Sequence, residues 1–211
     1  GNGAGKTSVL EAVFTLSRLR SFRTQNLDRL IAWGATQARV IAVRDGERLA
    51  VARSSGTTRI RLNGSEARSR SVLAGRLPVQ IINTEHQRLL LDGPAVRRSY
   101  LDWGAFHLDS RYRRISLRYR EALRQRNAAL RSSDRRSEAA WTPVLAVAAE
   151  ELDRWRQRFV AKLEPIWTEL IADWLGFEEV SLRYHSGGPS GCDWLQLYTQ
   201  SKERDRAHGF T

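Results

Sequence analysis

The chain opens on Gly1-Asn2-Gly3-Ala4-Gly5-Lys6-Thr7-Ser8, the inner part of a phosphate-binding loop of the form G-x-x-x-x-G-K-[ST]. No other segment restricts the fold as strongly. Gly3 and Gly5 allow backbone conformations that a Cβ would obstruct, so that successive N–H groups can converge on phosphate oxygens. Lys6 supplies an ammonium for the β and γ phosphates, and the Thr7 hydroxyl suits Mg²⁺. Thr7 to Leu16 reads as a helix with Val9, Ala12, Val13 and Leu16 on one face and Leu10 and Phe14 flanking it, so its N-terminus points at the phosphates. The expected nucleotide contacts are Gly1, Asn2, Gly3, Ala4, Gly5, Lys6, Thr7 and Ser8, with Thr7 also the metal ligand. The first glycine of the motif falls one position before Gly1. Because the 211 residues contain no methionine, the chain is expected to be a piece of a longer protein.

Composition narrows the partners. The formal net charge is +12, and Lys6, Lys162 and Lys202 are the only lysines, so arginine carries it. Residues 1–136 hold 27 Lys+Arg against 11 Asp+Glu, a balance of +16, and residues 137–211 hold 8 against 12, a balance of −4. The densest run, Arg88 to Arg136, includes Arg97, Arg98, Arg111, Arg113, Arg114, Arg118, Arg120, Arg124, Arg126, Arg131, Arg135 and Arg136. Arginine forks match phosphate oxygens, which points to a nucleic acid. The alternative is a GC-rich coding bias with the charges spread over solvated helix faces. No stretch approaches the roughly 18 apolar residues of a membrane span, so no membrane partner is expected. The single cysteine, Cys192, forms no internal disulfide, which fits a reducing cytoplasm; four scattered histidines add no metal spacing.

Along the chain, Ser17 to Asn26 reads as a basic surface loop. Arg39–Val43, Leu49–Arg53 and Thr58–Leu62, around Asp45-Gly46 and Asn63-Gly64, read as antiparallel hairpins. Pro78 to Asn83 has the length of a buried strand and delivers Thr84, Glu85 and His86; Gln80 or Glu85 could serve a nucleotide or metal site there. From Pro94 the pattern is helical, with a short helix through Val96, Tyr100, Leu101, Trp103 and Phe106 and an arginine-rich one over Arg111–Arg131. Ser132 to Ser137 reads as a linker. A second long helix from about Pro143 carries Leu152, Trp155, Phe159, Leu163, Ile166, Leu170 and Trp174 at spacings of 3, 4, 4, 3, 4 and 4. That stripe predicts packing against another helix rather than base stacking, with Pro165 kinking or interrupting it. Glu179–Tyr184 and Trp194–Thr199 return to β character. The expected fold class is α/β, a P-loop head with an antiparallel β subdomain and an inserted helical domain: 1–95 the nucleotide-binding part, 96–178 helical, 179–211 strands returning to the head.

Several ordered segments resemble the bacterial RecF family of DNA repair proteins, which carry an ABC-type ATPase head. They are Gly1–Thr7; Leu10-Glu11-Ala12 with Arg20-Ser21-Phe22-Arg23; Gly93-Pro94 with Arg97-Arg98; Leu101-Asp102-Trp103-Gly104 with Phe106-His107; Gln125-Arg126-Asn127-Ala128-Ala129-Leu130; and Glu203-Arg204-Asp205-Arg206. The resemblance implies ATP and Mg²⁺ as cofactors, ATP-dependent homodimerisation, slow DNA-stimulated hydrolysis and binding at single-strand/double-strand junctions. It also implies work with RecO and RecR in loading the RecA recombinase. The signature motif and the Asp-rich Mg²⁺ strand of that family are not in the sequence, so no catalytic residue is assigned and no hydrolysis by this piece is expected. Charge and position alone nominate Arg18, Arg20, Arg23, Arg111, Arg113, Arg114 and Arg118 for DNA. Competing readings are an SMC-type head, disfavoured by an insertion of only about 80 residues; a P-loop kinase, which leaves the basic surplus unexplained; and a DNA-binding module that uses nucleotide only as a switch.

Overall fold

The computed structural model describes residues 4–82, 88–177, 179–188 and 191–211, together with the backbone but not the side chain of the first of the second range. The chain divides into two units, Gly1–Gln87 and Arg88–Thr211.

In the first unit, helix α1 (Lys6–Arg18) follows Gly5, and four strands form one antiparallel sheet in the order β1-β2-β3-β4: Gln37–Arg44, Glu47–Ser54, Thr57–Leu62 and Ser65–Glu66. The hairpin turns lie where sequence places them. Asp45 and Gly46, and likewise Asn63 and Gly64, all take positive φ, the combination a two-residue type I′ turn requires. Pairing of Val40 with Val51 and of Val51 with Ile60 sets the register, and Leu49, Val51 and Ile60 then face Leu16, Leu19 and Leu73 of the adjoining helical segments in one core. Helix α2 (Ser71–Arg76) contributes Leu73.

Two expectations fail here. The buried face of α1 is Glu11, Thr15, Leu16 and Ser17, while Val9, Leu10 and Val13 are exposed. The apolar period correctly marks a helix, but only its C-terminal turns meet the sheet core. Residues 78–82 are not a strand: no partner strand lies beside them among the described residues, and Ile82 is exposed. With no ladder partner among the described residues, an apolar run gains little from extended form.

The second unit is helical: α3 (Arg88–Leu91), α4 (Pro94–Leu108), α5 (Tyr112–Arg131), α6 (Arg135–Leu175), α7 (Trp194–Gln200) and α8 (Lys202–His208). The stretch read as a linker is a tight reversal at residues 132–134, with Ser133 at φ 56°. Asp134 caps α6, accepting from the N–H groups of Arg136 and Ser137 at 3.1 Å each. Helix α6 therefore starts eight residues before Pro143 and runs on through Pro165 without interruption. With 41 residues against the 20 of α5, it outruns its partner by about 30 Å at 1.5 Å per residue. The apolar stripe divides accordingly. Leu152, Trp155 and Phe159 pack with Ala105, Tyr112 and Ile115, whereas Ile166, Leu170 and Trp174 are exposed, Trp174 to 78%.

The return strands are also absent. Residues 179–184 carry no regular structure, and Trp194–Thr199 lies in a helix, because Asp193 accepts from Leu195 N at 2.8 Å as an N-cap and Trp194 and Tyr198 then share a face. The apolar and aromatic content reads as β character, but the cap and the i, i+4 aromatic pair decide for a helix. Tyr198 packs with Ala122, Leu145, Ala146 and Ala149, so this segment belongs to the helical unit.

Candidate nucleotide loop and arginine surfaces

Gly5 takes φ 80° and hands directly to Lys6, the first residue of α1; Gly1, Asn2 and Gly3 lie outside the described residues. The first turn has no side-chain cap and no acidic residue, and Ala4, Lys6, Thr7 and Ser8 are all exposed. Such a helix start turns backbone N–H groups that lie outside the helix's own ladder, and the positive end of the peptide dipoles, toward an anion. The described part of the loop thus fits a phosphate group, with Lys6 as counter-charge and the Thr7 hydroxyl as a metal ligand beside it. Among the described residues no cluster of three or more His, Cys, Asp or Glu could hold a metal by itself.

The three arginines nominated near this loop differ in circumstance. Glu11, buried on α1, accepts from the Ser21 hydroxyl and from Arg23 Nη1 at 3.2 Å. Thr15 Oγ1 donates to the carbonyl of Arg20 at 3.2 Å, and Ser21 Oγ accepts the N–H groups of Arg23 and Thr24. The segment after α1 is thereby tied back onto the helix. Arg23 is committed to Glu11, and Arg18 Nη2 donates to Gln80 Oε1 at 3.2 Å. Burial first, then the charge of Arg20, pulls the Arg18 guanidinium below its ordinary value. Arg20 is exposed and has no ion-pair partner among the described residues. Gln80 thus holds an arginine, and Thr84, Glu85 and His86 lie outside the described residues.

In the second unit, α5 carries seven arginines against one acid, Glu121. Arg113, Arg114 and Arg118 are exposed without an ion pair among the described residues. Arg111 is engaged: its Nε and Nη2 donate to Asp109 Oδ2 at 2.9 and 2.6 Å, and its guanidinium lies 5.6 Å from the Trp155 ring centre. The hydrogen bonds from Arg111 hold the Asp109 carboxyl below its usual value. Arg124 pairs with Glu121, and Arg120 reaches Asp102 at 3.8 Å.

Arg126, counted above with the basic surface, is wholly buried. Its Nη1 donates to Asp205 Oδ2 at 2.9 Å and to Thr211 Oγ1, its Nε to Thr142 Oγ1 at 3.2 Å and its Nη2 to the Tyr198 carbonyl at 3.3 Å. The clue in the sequence is the period. Ile115, Tyr119, Ala122, Arg126 and Ala129, spaced 4, 3, 4 and 3, put Arg126 on the apolar face of α5. Asp102 is a second hub, accepting from Tyr112 Oη at 2.5 Å and from Arg156 Nε and Nη2 at 2.9 and 2.6 Å. Burial, then the bond to Asp102, pushes the Tyr112 phenol well above its ordinary value.

No protein-family model matches the chain. The proteins it resembles are nonetheless uniform. It is 37% identical over 218 aligned positions to the "DNA replication and repair protein RecF" of Pseudomonas aeruginosa (strain LESB58), with 100% of the chain and 59% of that protein covered. The same-named proteins of Stutzerimonas stutzeri (strain A1501) and Pseudomonas fluorescens (strain SBW25) are 37% and 36% identical over the same shares. A solved structure, "Structure of the recombination mediator protein RecF-ATP in RecFOR pathway", superimposes with a TM-score of 0.81 at 21% identity, covering 100% of the chain and 62% of that structure. The chain thus shares the α/β fold of that structure, with an antiparallel four-stranded sheet. Over its whole length the chain is similar to these RecF sequences, and it spans 59% of the length of the curated relatives it matches.

Proposed function

We propose that the chain is the loop-bearing part of an ATP-dependent DNA-binding protein of recombinational repair. The observation that carries this reading is the exposed, uncapped Gly5-Lys6-Thr7 start of α1 in a fold shared with a RecF–ATP structure. Lys6 and the first-turn N–H groups bind the phosphates, and Thr7 meets Mg²⁺, whose remaining coordination comes from phosphate oxygens and water. In a phosphate-transfer site the protein contributes mainly position and charge, and Lys6 provides both. Residues 1–95 serve nucleotide, residues 96–178 form a helical arm, and ATP joins two heads into a homodimer.

DNA is held at single-strand/double-strand junctions. Arg113, Arg114 and Arg118, lying exposed along α5, are the phosphate-binding set, with Arg20 beside the nucleotide loop; Arg18, Arg23 and Arg111 support it from their ion pairs and hydrogen bonds. RecO and RecR are the partners through which the complex assists recombinase loading in the cytoplasm.

The test is binding to fluorescent gapped duplex, intact duplex and single strand, with Mg-ATP or Mg-ADP, over a salt series. Preference for the gap with ATP but not ADP, with log affinity falling linearly in log salt, is the expected result. Tight binding indifferent to nucleotide would make the loop incidental to DNA grip, and no binding at low salt would end the repair assignment.

A further inference from the structure

Resting on that nucleic-acid reading, we infer that Trp155, Arg154 and Arg158 of α6 form a contact site for a single unpaired nucleotide. An open concavity of about 410 Å³ is lined by Glu151, Arg154, Trp155 and Arg158. The half-buried Trp155 ring is held from below by the core of Ala105, Tyr112, Ile115 and Leu152. Two guanidiniums stand over it, Arg111 at 5.6 Å and Arg158 at 5.1 Å from the ring centre.

The two arginines are not equivalent. The donor edge of Arg111 is closed by its two bonds to Asp109. Arg158 and Arg154 are exposed and have no carboxylate within ion-pair distance among the described residues. They stand at i and i+4, where like charges repel and cost helix stability, and Glu151, one turn away, does not pair with Arg154. Two arginines without an ion pair, Arg158 over the indole and Arg154 lining the same concavity, suit a phosphate next to a flat apolar ring. A base stacks on Trp155 in place of the Arg158 guanidinium, and Arg158, on its long exposed stem, turns with Arg154 to the flanking phosphates. Bases within a duplex are already stacked and cannot reach the ring, so the site selects the unpaired side of a junction. The helical period assigns Trp155 to the core. That is correct for one edge of the ring and misses the other.

The experiment measures anisotropy of fluorescent oligo-dT and of blunt duplex with the protein, with Arg154→Ala/Arg158→Ala and with Trp155→Leu, each across a salt series. The double arginine variant should lower oligo-dT affinity and flatten its salt slope by about 1.4, two contacts at roughly 0.7 each for single strands. Trp155→Leu should weaken oligo-dT about 5- to 150-fold, a stacking loss of about 1–3 kcal/mol, with the slope kept. Duplex binding should change less than about twofold in both. Because both arginines are exposed, the double variant decides the matter even if Trp155→Leu is unstable. If the unaltered protein binds oligo-dT and the double variant binds it equally with the same slope, this site is refuted and the wider reading stands. If the unaltered protein binds neither nucleic acid, both fail. Displacement of oligo-dT by poly-glutamate through the same arginines, at comparable concentration, would overturn base recognition in favour of an acidic protein partner.

Discussion

Replacing Arg126 with methionine removes a charge from the interior while keeping an unbranched side chain. Arg126 is 0% exposed and Asp205 2%. The variant strands the Asp205 carboxylate with the Ser201 hydroxyl at 2.9 Å and the outlying Arg204 at 3.6 Å. It also frees the Tyr198 carbonyl and the Thr142 hydroxyl from their bonds to the guanidinium. Breaking a buried pair from one side costs about 3–5 kcal/mol, a large share of the roughly 5–15 kcal/mol that holds a domain folded. At roughly 3–5 °C per kcal/mol for a unit of this size, the melting transition of the helical unit should fall by about 10–20 °C, read by calorimetry or circular dichroism. Arg126→Met/Asp205→Leu should recover part of that loss, because no charge then remains unpaired, giving a coupling of about 2 kcal/mol or more. A drop below about 1 kcal/mol for the single variant, or strict additivity in the double, would refute the view that this pair pins α5 to the C-terminal helices.

Other consequences are checkable on the same material. Lys6→Ala should weaken ATP binding more than about tenfold, measured by titration calorimetry, while the melting temperature stays within the small range of surface changes. Gly104→Ala places a methyl group in the space of the Phe159 ring; this overpacking should cost about 1–3 kcal/mol by chemical denaturation. Tyr112, Tyr184 and Tyr198 are all raised above the ordinary phenol value of 10.0, each chiefly by burial. The folded protein keeps those protons after the unfolded chain has lost them, so their contribution is complete below pH 10 and declines as pH rises beyond it. The melting temperature should fall steeply in that alkaline range, and less steeply in Tyr112→Phe. Equal slopes would contradict the shift.

What the sequence made legible follows from how local each cause is. The hairpins around Asp45-Gly46 and Asn63-Gly64 depend on turn residues that need positive φ, and both were readable. The start of α1 after Gly5 was equally local. Burial was not. The face of α1 that carries Val9, Leu10 and Val13 has the right period for a core but is largely exposed, and the 78–82 run lacks a ladder partner among the described residues. Whether an apolar face is covered depends on distant segments, which periodicity does not contain. At 194–199 the apolar and aromatic residues suit a strand as well as a helix, and the Asp193 cap, which is in the sequence, is what selects the helix.

The segments that most specifically resemble the RecF family have, apart from the loop, a structural explanation. Asp102 and Gly104 of Leu-Asp-Trp-Gly bind α4 to α6, one by accepting from Arg156 and the other by making room for Phe159. Arg126 and Asp205 join two further segments, and Asn127 Oδ1 accepts from Thr211 N at 3.0 Å. Arg206 of the last segment donates to the buried Glu138 at 2.9 Å. A buried arginine or an obligate glycine tolerates few replacements, so such positions report a shared architecture more sharply than surface contacts do. The exposed arginines of α5 proposed to meet phosphate would, by contrast, act through charge, for which any cation nearby can substitute. Apart from the loop, the signals that identify the family therefore lie on different residues from those proposed to meet DNA. For this reason Arg126, inside a basic run, is structural, while Arg113, Arg114 and Arg118 of α5 and Arg154 and Arg158 of α6, all exposed and outside every family segment, are the places to look for contact with nucleic acid.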